Sequence, residues 1–297
     1  MNIISKIRDF ICSESFTNST GVMGENLTSG SRLGGIGISN SNEYNFNFYF
    51  DVPNCELAHA GFGFGAALGG INVYWIVKQL DFLHLASDHF HNTLNLLHNS
   101  NHFNKLGKLS IICYVIDENY QGAQSSDTNI FSLFPNSFKN IALISTLEEF
   151  SIFTEETEKD FFRVIFISQR NFKKSIVHSK TFFISGISIY KFNNPNIKSI
   201  AFCFGNCIHE IFEYNKVQNK FNSILNFYAL RKINITDLYE FIEQVDEIII
   251  YNDYDINKEI YELIFKINQV LPKILIIFKP INSDFNGFSK REIYLDL

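Results

Sequence analysis

The stretch Asn54 to Gly70, N-C-E-L-A-H-A-G-F-G-F-G-A-A-L-G-G, sets a single acid, Glu56, ahead of Gly61, Gly63, Gly65, Gly69 and Gly70 in the most apolar part of the chain. Gly61-x-Gly63-x-x-Ala66, with Asp81 twenty residues after Gly61, has the spacing of a dinucleotide cradle. Such a cradle needs its glycines directly after a strand, and Pro53 to Ala60 intervenes after the strand-like run Phe46 to Val52. Read as a helix instead, each interior glycine costs about 0.5–1 kcal/mol relative to alanine, and close approach of another backbone is the usual compensation. Glu56 is then either an ordinary first-turn acid favoured by the helix dipole or a carboxyl with a chemical task.

Other clusters carry less. His84, His89, His91, His98 and His102 lie along one expected helix, but no carboxylate or cysteine joins them at ligand spacing, which disfavours zinc. Cys203-x-x-x-Cys207-x-His209 supplies at most three ligands, and its cysteines read better as small buried hydrophobes. The sequence contains no G-x-S-x-G elbow, no Walker A loop and no H-E-x-x-H, so it offers no support for nucleophilic or nucleotide-hydrolysing chemistry.

Alternating strand and helix patterns must position these residues. Strands are expected at Phe46 to Val52, Ile71 to Val77, Ser110 to Ile116, Ile141 to Ser145 and Val164 to Ser168. Helices are expected at Leu83 to Leu97 and at Thr146 to Lys159, the latter opening with the capping box Thr146…Glu149. That pattern predicts a parallel α/β sheet flanked by helices. A second, smaller α/β unit follows: strands at Ser199 to Phe204, Ser223 to Tyr228, Glu247 to Tyr251 and Lys273 to Phe278, with helices at Cys207 to Val217, Ile235 to Val245 and Asp255 to Val270. The polar link Asn171 to Lys180 predicts a boundary between residues 1–180 and 181–297, and the strand-like Thr181 to Ile189 fits either side.

At 297 residues, two domains are the natural expectation, and 46% hydrophobic content excludes a disordered chain. A net charge of −6 with both signs interspersed gives no basic stripe, so nucleic acid is not an expected partner. The apolar runs fall short of the roughly 20 residues that span a bilayer. The opening residues lack a signal-peptide block, and five scattered cysteines look like reduced thiols; a cytoplasmic, non-membrane protein is expected.

At Glu56 the run E-L-A-H-A-G-F-G-F-G-A-A-L-G-G resembles the thiamine diphosphate enzymes of the transketolase and 2-oxo acid dehydrogenase group, most of all the beta subunit of the pyruvate dehydrogenase decarboxylating component. G-V-M-G-E-N-L-T (Gly21 to Thr28), L-D-F-L-H-L-A-S-D-H (Leu80 to His89), G-A-Q-S-S-D-T-N-I-F-S-L-F-P-N (Gly122 to Asn136) and S-I-A-F-C-F-G-N (Ser199 to Asn206) are similar to further segments in the same order. The resemblance implies a pyrimidine-binding domain followed by a transketolase C-terminal domain. It implies that Glu56 hydrogen-bonds a ring nitrogen of the cofactor's aminopyrimidine, that Phe82 stacks on that ring, and that Glu25 belongs to the cofactor site. Gln124 and Ser125 fall on the family's proton-relay loop, with Ser125 where the dehydrogenases carry a histidine, and Lys78 stands where the family has an apolar residue. The family's diphosphate and Mg²⁺ segment begins with Gly-Asp, a pair found nowhere in this chain, so an alpha-type subunit, as in an α2β2 assembly, is expected to supply it. The implied reaction is decarboxylation of a 2-oxo acid with acyl transfer. Two alternatives stay open: ketol transfer on a ketose in specialised or surface-sugar metabolism, and a non-catalytic scaffold or regulatory homologue.

Overall fold

A computed structural model describes residues 2–28, 35–99, 107–116, 129–176, 178–192, 194, 196–243, 245–252, 257–270 and 275–280. Two six-stranded sheets organise them. The first comprises β1 (Thr20–Gly24), β2 (Phe46–Asp51), β3 (Asn72–Val77), β4 (Leu109–Val115), β5 (Ile141–Ile144) and β6 (Phe162–Ser168), in the order β2-β1-β3-β4-β6-β5. All its pairings are parallel. The central strands β3, β4 and β6 are continuous buried runs, as expected where both faces of a sheet are covered.

The second sheet comprises β7 (Thr181–Ile184), β8 (Ile187–Lys191), β9 (Ser199–Phe204), β10 (Ser223–Phe227), β11 (Glu247–Asn252) and β12 (Leu275–Pro280), ordered β12-β11-β9-β10-β8-β7. Strands β9 to β12 run parallel, and β7–β8 is an antiparallel hairpin on the β10 edge. The strand-like Thr181 to Ile189 is thus not one strand but two. Gly186 turns the chain with φ +85°, where a Cβ would also lie 2.4 Å from the Ala229 carbonyl oxygen.

Helix α1 (Ile3–Thr17), unforeseen in the sequence, buries Ile3, Ile4, Ile7 and Ile11 along one stripe against Ile76, Ile112 and Ile144. Its first turn is capped by Asn2, whose Oδ1 accepts from the Ser5 N–H at 2.9 Å. Helix α2 (Glu56–Leu68) lies over the first sheet, and a Cβ on Gly63 would sit 3.0 Å from both Leu109 and Met23. Helix α3 (Leu147–Glu156) opens with the expected capping box. Helices α4 (Ile208–Gln218) and α5 (Asn257–Val270) belong to the second unit. The expected single helix Leu83 to Leu97 is in fact a short α-turn, a 3₁₀ turn, a π-helical turn over His89–Thr93 and a final α-turn to Asn99. The expected helix Ile235 to Val245 is likewise broken into a 3₁₀ turn and one α-turn.

The two sheets are joined by specific polar contacts. The Glu149 carboxylate, fully buried in α3, accepts from its own cap N–H groups, Ser145 at 2.9 Å and Thr146 at 3.2 Å. It also accepts from the Ser188 hydroxyl and the Asn226 amide, 2.7 Å away, in the second sheet. Arg231 donates to the carbonyls of Phe131, Phe134, Pro135 and Phe138. Leu143 N–H reaches the Tyr228 carbonyl at 2.7 Å.

Candidate active site

The parallel register of β2, β1 and β3 brings three sequence-distant residues to one edge. Gly24 at the end of β1 lies beside Asp51 on one side and Ile76 on the other. Glu25 therefore leaves the sheet beside the loop that leads into Glu56 and beside Lys78, which follows β3. This is the carboxyl-end crevice where open α/β sheets place their ligands. The strands approach closely there because Gly24 has no side chain: a Cβ would meet the Ile76 carbonyl oxygen at 2.6 Å. Beyond it, Asp51 accepts from the Thr28 N–H at 3.0 Å and from its hydroxyl, which ties down the turn that carries Glu25.

Glu56 begins α2 with its side chain only 5% exposed, whereas Glu25 is half-buried and Lys78 exposed. The two carboxyls face one another within hydrogen-bonding reach, so Glu56 acts on Glu25 both as a hydrogen-bond partner and as a like charge. Burial first, then that bond and the charge of Glu56, push the Glu25 carboxyl above the usual carboxylate range, and Lys78 pulls the other way. The sequence singled out Glu56, and the fold sets Glu25 beside it.

One turn further along α2, His59 is buried against Trp75, ring centroids 5.9 Å apart and nearly perpendicular. It bonds the Pro53 carbonyl, while its Nε2 has no partner among the described residues. Burial lowers its pKa, against the opposing pull of that carbonyl and of Glu56. Sequence reasoning passed over His59; its i+3 spacing from Glu56 on an apolar helix face was the signal available. Phe82 sits half-buried in the short α-turn after Lys78, packed on the main core. Gln124 and Ser125 lie outside the described residues.

The outer face of α2 is apolar and open. Leu57, Phe62 and Leu68 are 48%, 47% and 40% exposed, and nothing lies within 4 Å of the position a Gly65 Cβ would take. The glycines thus divide: Gly63 packs inward on the sheet, Gly61 against His89, and Gly65 faces outward. Among the described residues, no group of three or more His, Cys, Asp or Glu is arranged to hold a metal ion, and no helix is long and apolar enough to cross a membrane.

A split-gene transketolase, solved as an inactive β4 tetramer, superposes on this chain with a TM-score of 0.65, covering 97% of this chain and 91% of that one. The chain has a transketolase-like fold. Sequence identity over the match is 12%. No family model and no curated protein matches the sequence.

Proposed function

We propose that this chain is the beta-type subunit of a thiamine diphosphate-dependent enzyme that cleaves a bond next to a carbonyl, with residues 1–180 as the pyrimidine-binding domain and 181–297 as the C-terminal domain. The observation that carries the reading is the pairing of the Glu25 and Glu56 carboxyls at the carboxyl edge of the first sheet, where burial and Glu56 together hold the Glu25 carboxyl above the usual range. A pyrimidine ring nitrogen needs a buried carboxyl that can donate a hydrogen bond, and this pair fits that half of the cofactor. For the other half, the sequence lacks the Gly-Asp pair that opens the family's diphosphate and Mg²⁺ segment; an alpha-type chain would hold both. The open apolar face of α2 suits docking of that chain, because Gly65 lets a second backbone come close.

When bound, thiamine diphosphate supplies an electron sink beside the substrate carbonyl. Glu56 would hold the pyrimidine nitrogen, Glu25 would take up and return a proton, and Phe82 would flank the ring. Lys78 would add positive charge at the mouth, which favours an anionic substrate such as a 2-oxo acid. Gln124 and Ser125 would lie on the relay loop. The likeness to a split-gene transketolase favours a second reading, ketol transfer on a ketose.

The test is co-expression with an alpha-type chain. The complex is expected to bind thiamine diphosphate, and Glu56→Gln is expected to abolish exchange of the cofactor's C2 proton without dissociating the complex. Unchanged exchange in that variant would remove Glu56 from this role. Parallel assays with a 2-oxo acid and with a ketose phosphate decide between the two reactions.

A further inference from the structure

A cavity of about 780 Å³ opens at the end of the second sheet where β8 finishes and β9 and β10 begin, and no residue of the first sheet lines it. Its polar lining is Lys191, Asn194, Lys198, Asn222, Ser223 and Glu240. The volume is within the range of small-molecule sites, about 300–1,000 Å³.

What this lining presents is mostly hydrogen-bond donors. The Lys191 ammonium lies 5.0 Å from the centroid of the Phe182 ring and 4.7 Å from that of Phe241, and no carboxylate among the described residues pairs with it. The backbone on both sides of its side chain is fixed: its N–H bonds the Lys180 carbonyl at 3.1 Å, and its own carbonyl accepts from His178 Nε2 at 2.7 Å. A cation held between two rings has lost most of its rotamer freedom before any ligand arrives. The asparagines are oriented the same way. Asn222 Oδ1 accepts from the Asn194 N–H at 3.4 Å, and Asn194 Oδ1 accepts from the Asn196 N–H at 3.3 Å. With both carbonyl ends engaged by backbone, the NH₂ ends are left as donors. Among the described residues, Lys198 pairs only with Asp246, at 3.6 Å with both side chains exposed, an ion pair of little strength. Apolar surface comes from Ile197, Ile200, Phe241 and Val245. Glu240 adds one negative charge, which disfavours polyanions.

We infer that this cavity binds a small molecule with one oxyanion head, a carboxylate or a phosphate monoester, on a compact apolar body. Lys191 and the two asparagine amides hold the head, and Phe241 with its aliphatic neighbours covers the body. The site is separate from Glu25 and Glu56 and does not depend on their chemistry.

The experiment titrates benzoate and phenyl phosphate, which share a ring and differ in the head, into the full-length chain by calorimetry at constant ionic strength. Saturable binding of one probe is expected, and the stronger of the two identifies the head. Lys191→Met keeps the stem between the two rings and removes the charge; binding is expected to weaken about tenfold or more. Asn222→Asp keeps the acceptor for Asn194 and replaces the donor with a charge, and a comparable loss is expected. Should Lys191→Met fail to fold, the Asn222→Asp result decides. Glu56→Gln is expected to bind the probe as the wild type does. Absence of saturation with either probe, wild-type affinity in a folded Lys191→Met or Asn222→Asp chain, or loss of binding in Glu56→Gln would overturn the inference.

Discussion

Glu149 and the Glu25–Glu56 pair are carboxyls withdrawn from water under opposite terms. Glu149 is surrounded by donors: two backbone N–H groups of its own helix cap, a hydroxyl and an amide. Desolvation still pushes its pKa up, but those four bonds favour the charged form and oppose the shift. Glu25 instead faces another carboxyl, so the shared bond and the like charge act in the same direction as burial. The first arrangement joins two sheets; the second raises the pKa of an acid at the edge of one. How an acid is surrounded, and not only how deeply it is buried, decides how strongly its pKa is raised.

The comparison breaks first at Glu149. Glu149→Ala leaves two cap N–H groups, Ser188 and Asn226 without their acceptor and should cost about 3–5 kcal/mol in chemical denaturation. Glu149→Gln keeps the shape but turns an NH₂ toward donors, and a loss of about 1–3 kcal/mol is expected. Glu56→Gln, isosteric and still able to bond Glu25, should change stability by less than about 1 kcal/mol. If Glu56→Gln destabilised the chain as much as Glu149→Gln, the distinction between the two sites would fall.

Glu25 sharpens the comparison through pH. Its folded-state pKa is raised above the ordinary value of 4.5, so the folded chain holds this proton more tightly than the unfolded one. Its contribution to stability is complete below the ordinary value and is lost as pH rises through the raised one. Melting temperature plotted against pH should therefore fall less steeply above pH 4.5 in Glu25→Gln than in the wild type. Identical slopes would mean that the pair does not retain a proton. The smallest effect is expected at Gly65→Ala, which should stabilise the isolated chain by about 0.5–1 kcal/mol because no neighbour meets the new Cβ, and should weaken association with an alpha-type chain.

The layered α/β plan was readable because β3, β4 and β6 carry apolar runs, Val73 to Val77, Ile111 to Val115 and Val164 to Ile167, and Thr146…Glu149 is a local capping signal. The second task of Glu149 was not readable, since its partners Ser188 and Asn226 lie 39 and 77 residues away and leave no pattern near it. Strand β1 escaped notice because Gly21 and Gly24 weaken a strand signal. Those glycines exist for neighbours supplied by other strands: the Phe48 ring would lie 2.3 Å from a Gly21 Cβ, and the Ile76 carbonyl blocks one on Gly24. The helix expected over Leu83 to Leu97 was correct in place and wrong in regularity, its turns varying between 3₁₀, α and π as the histidine-rich segment follows the surface of α2. In the site, the spacing of Glu56 from its glycines was legible. The approach of Glu25 to Glu56 depends on the register of β1 between β2 and β3, which no local stretch encodes.

That register also bears on how such a chain can diverge. Glu25, Glu56 and Lys78 each stand just past the end of a different strand or at the head of a helix, outside the ladder of backbone bonds that holds the sheet together. A single codon change at any of the three alters charge at the crevice without removing a ladder bond. Charge at this edge can therefore change while the strands beneath it stay intact, and the fold itself is compatible with sequences as different as the 12% identity seen against a chain of the same fold.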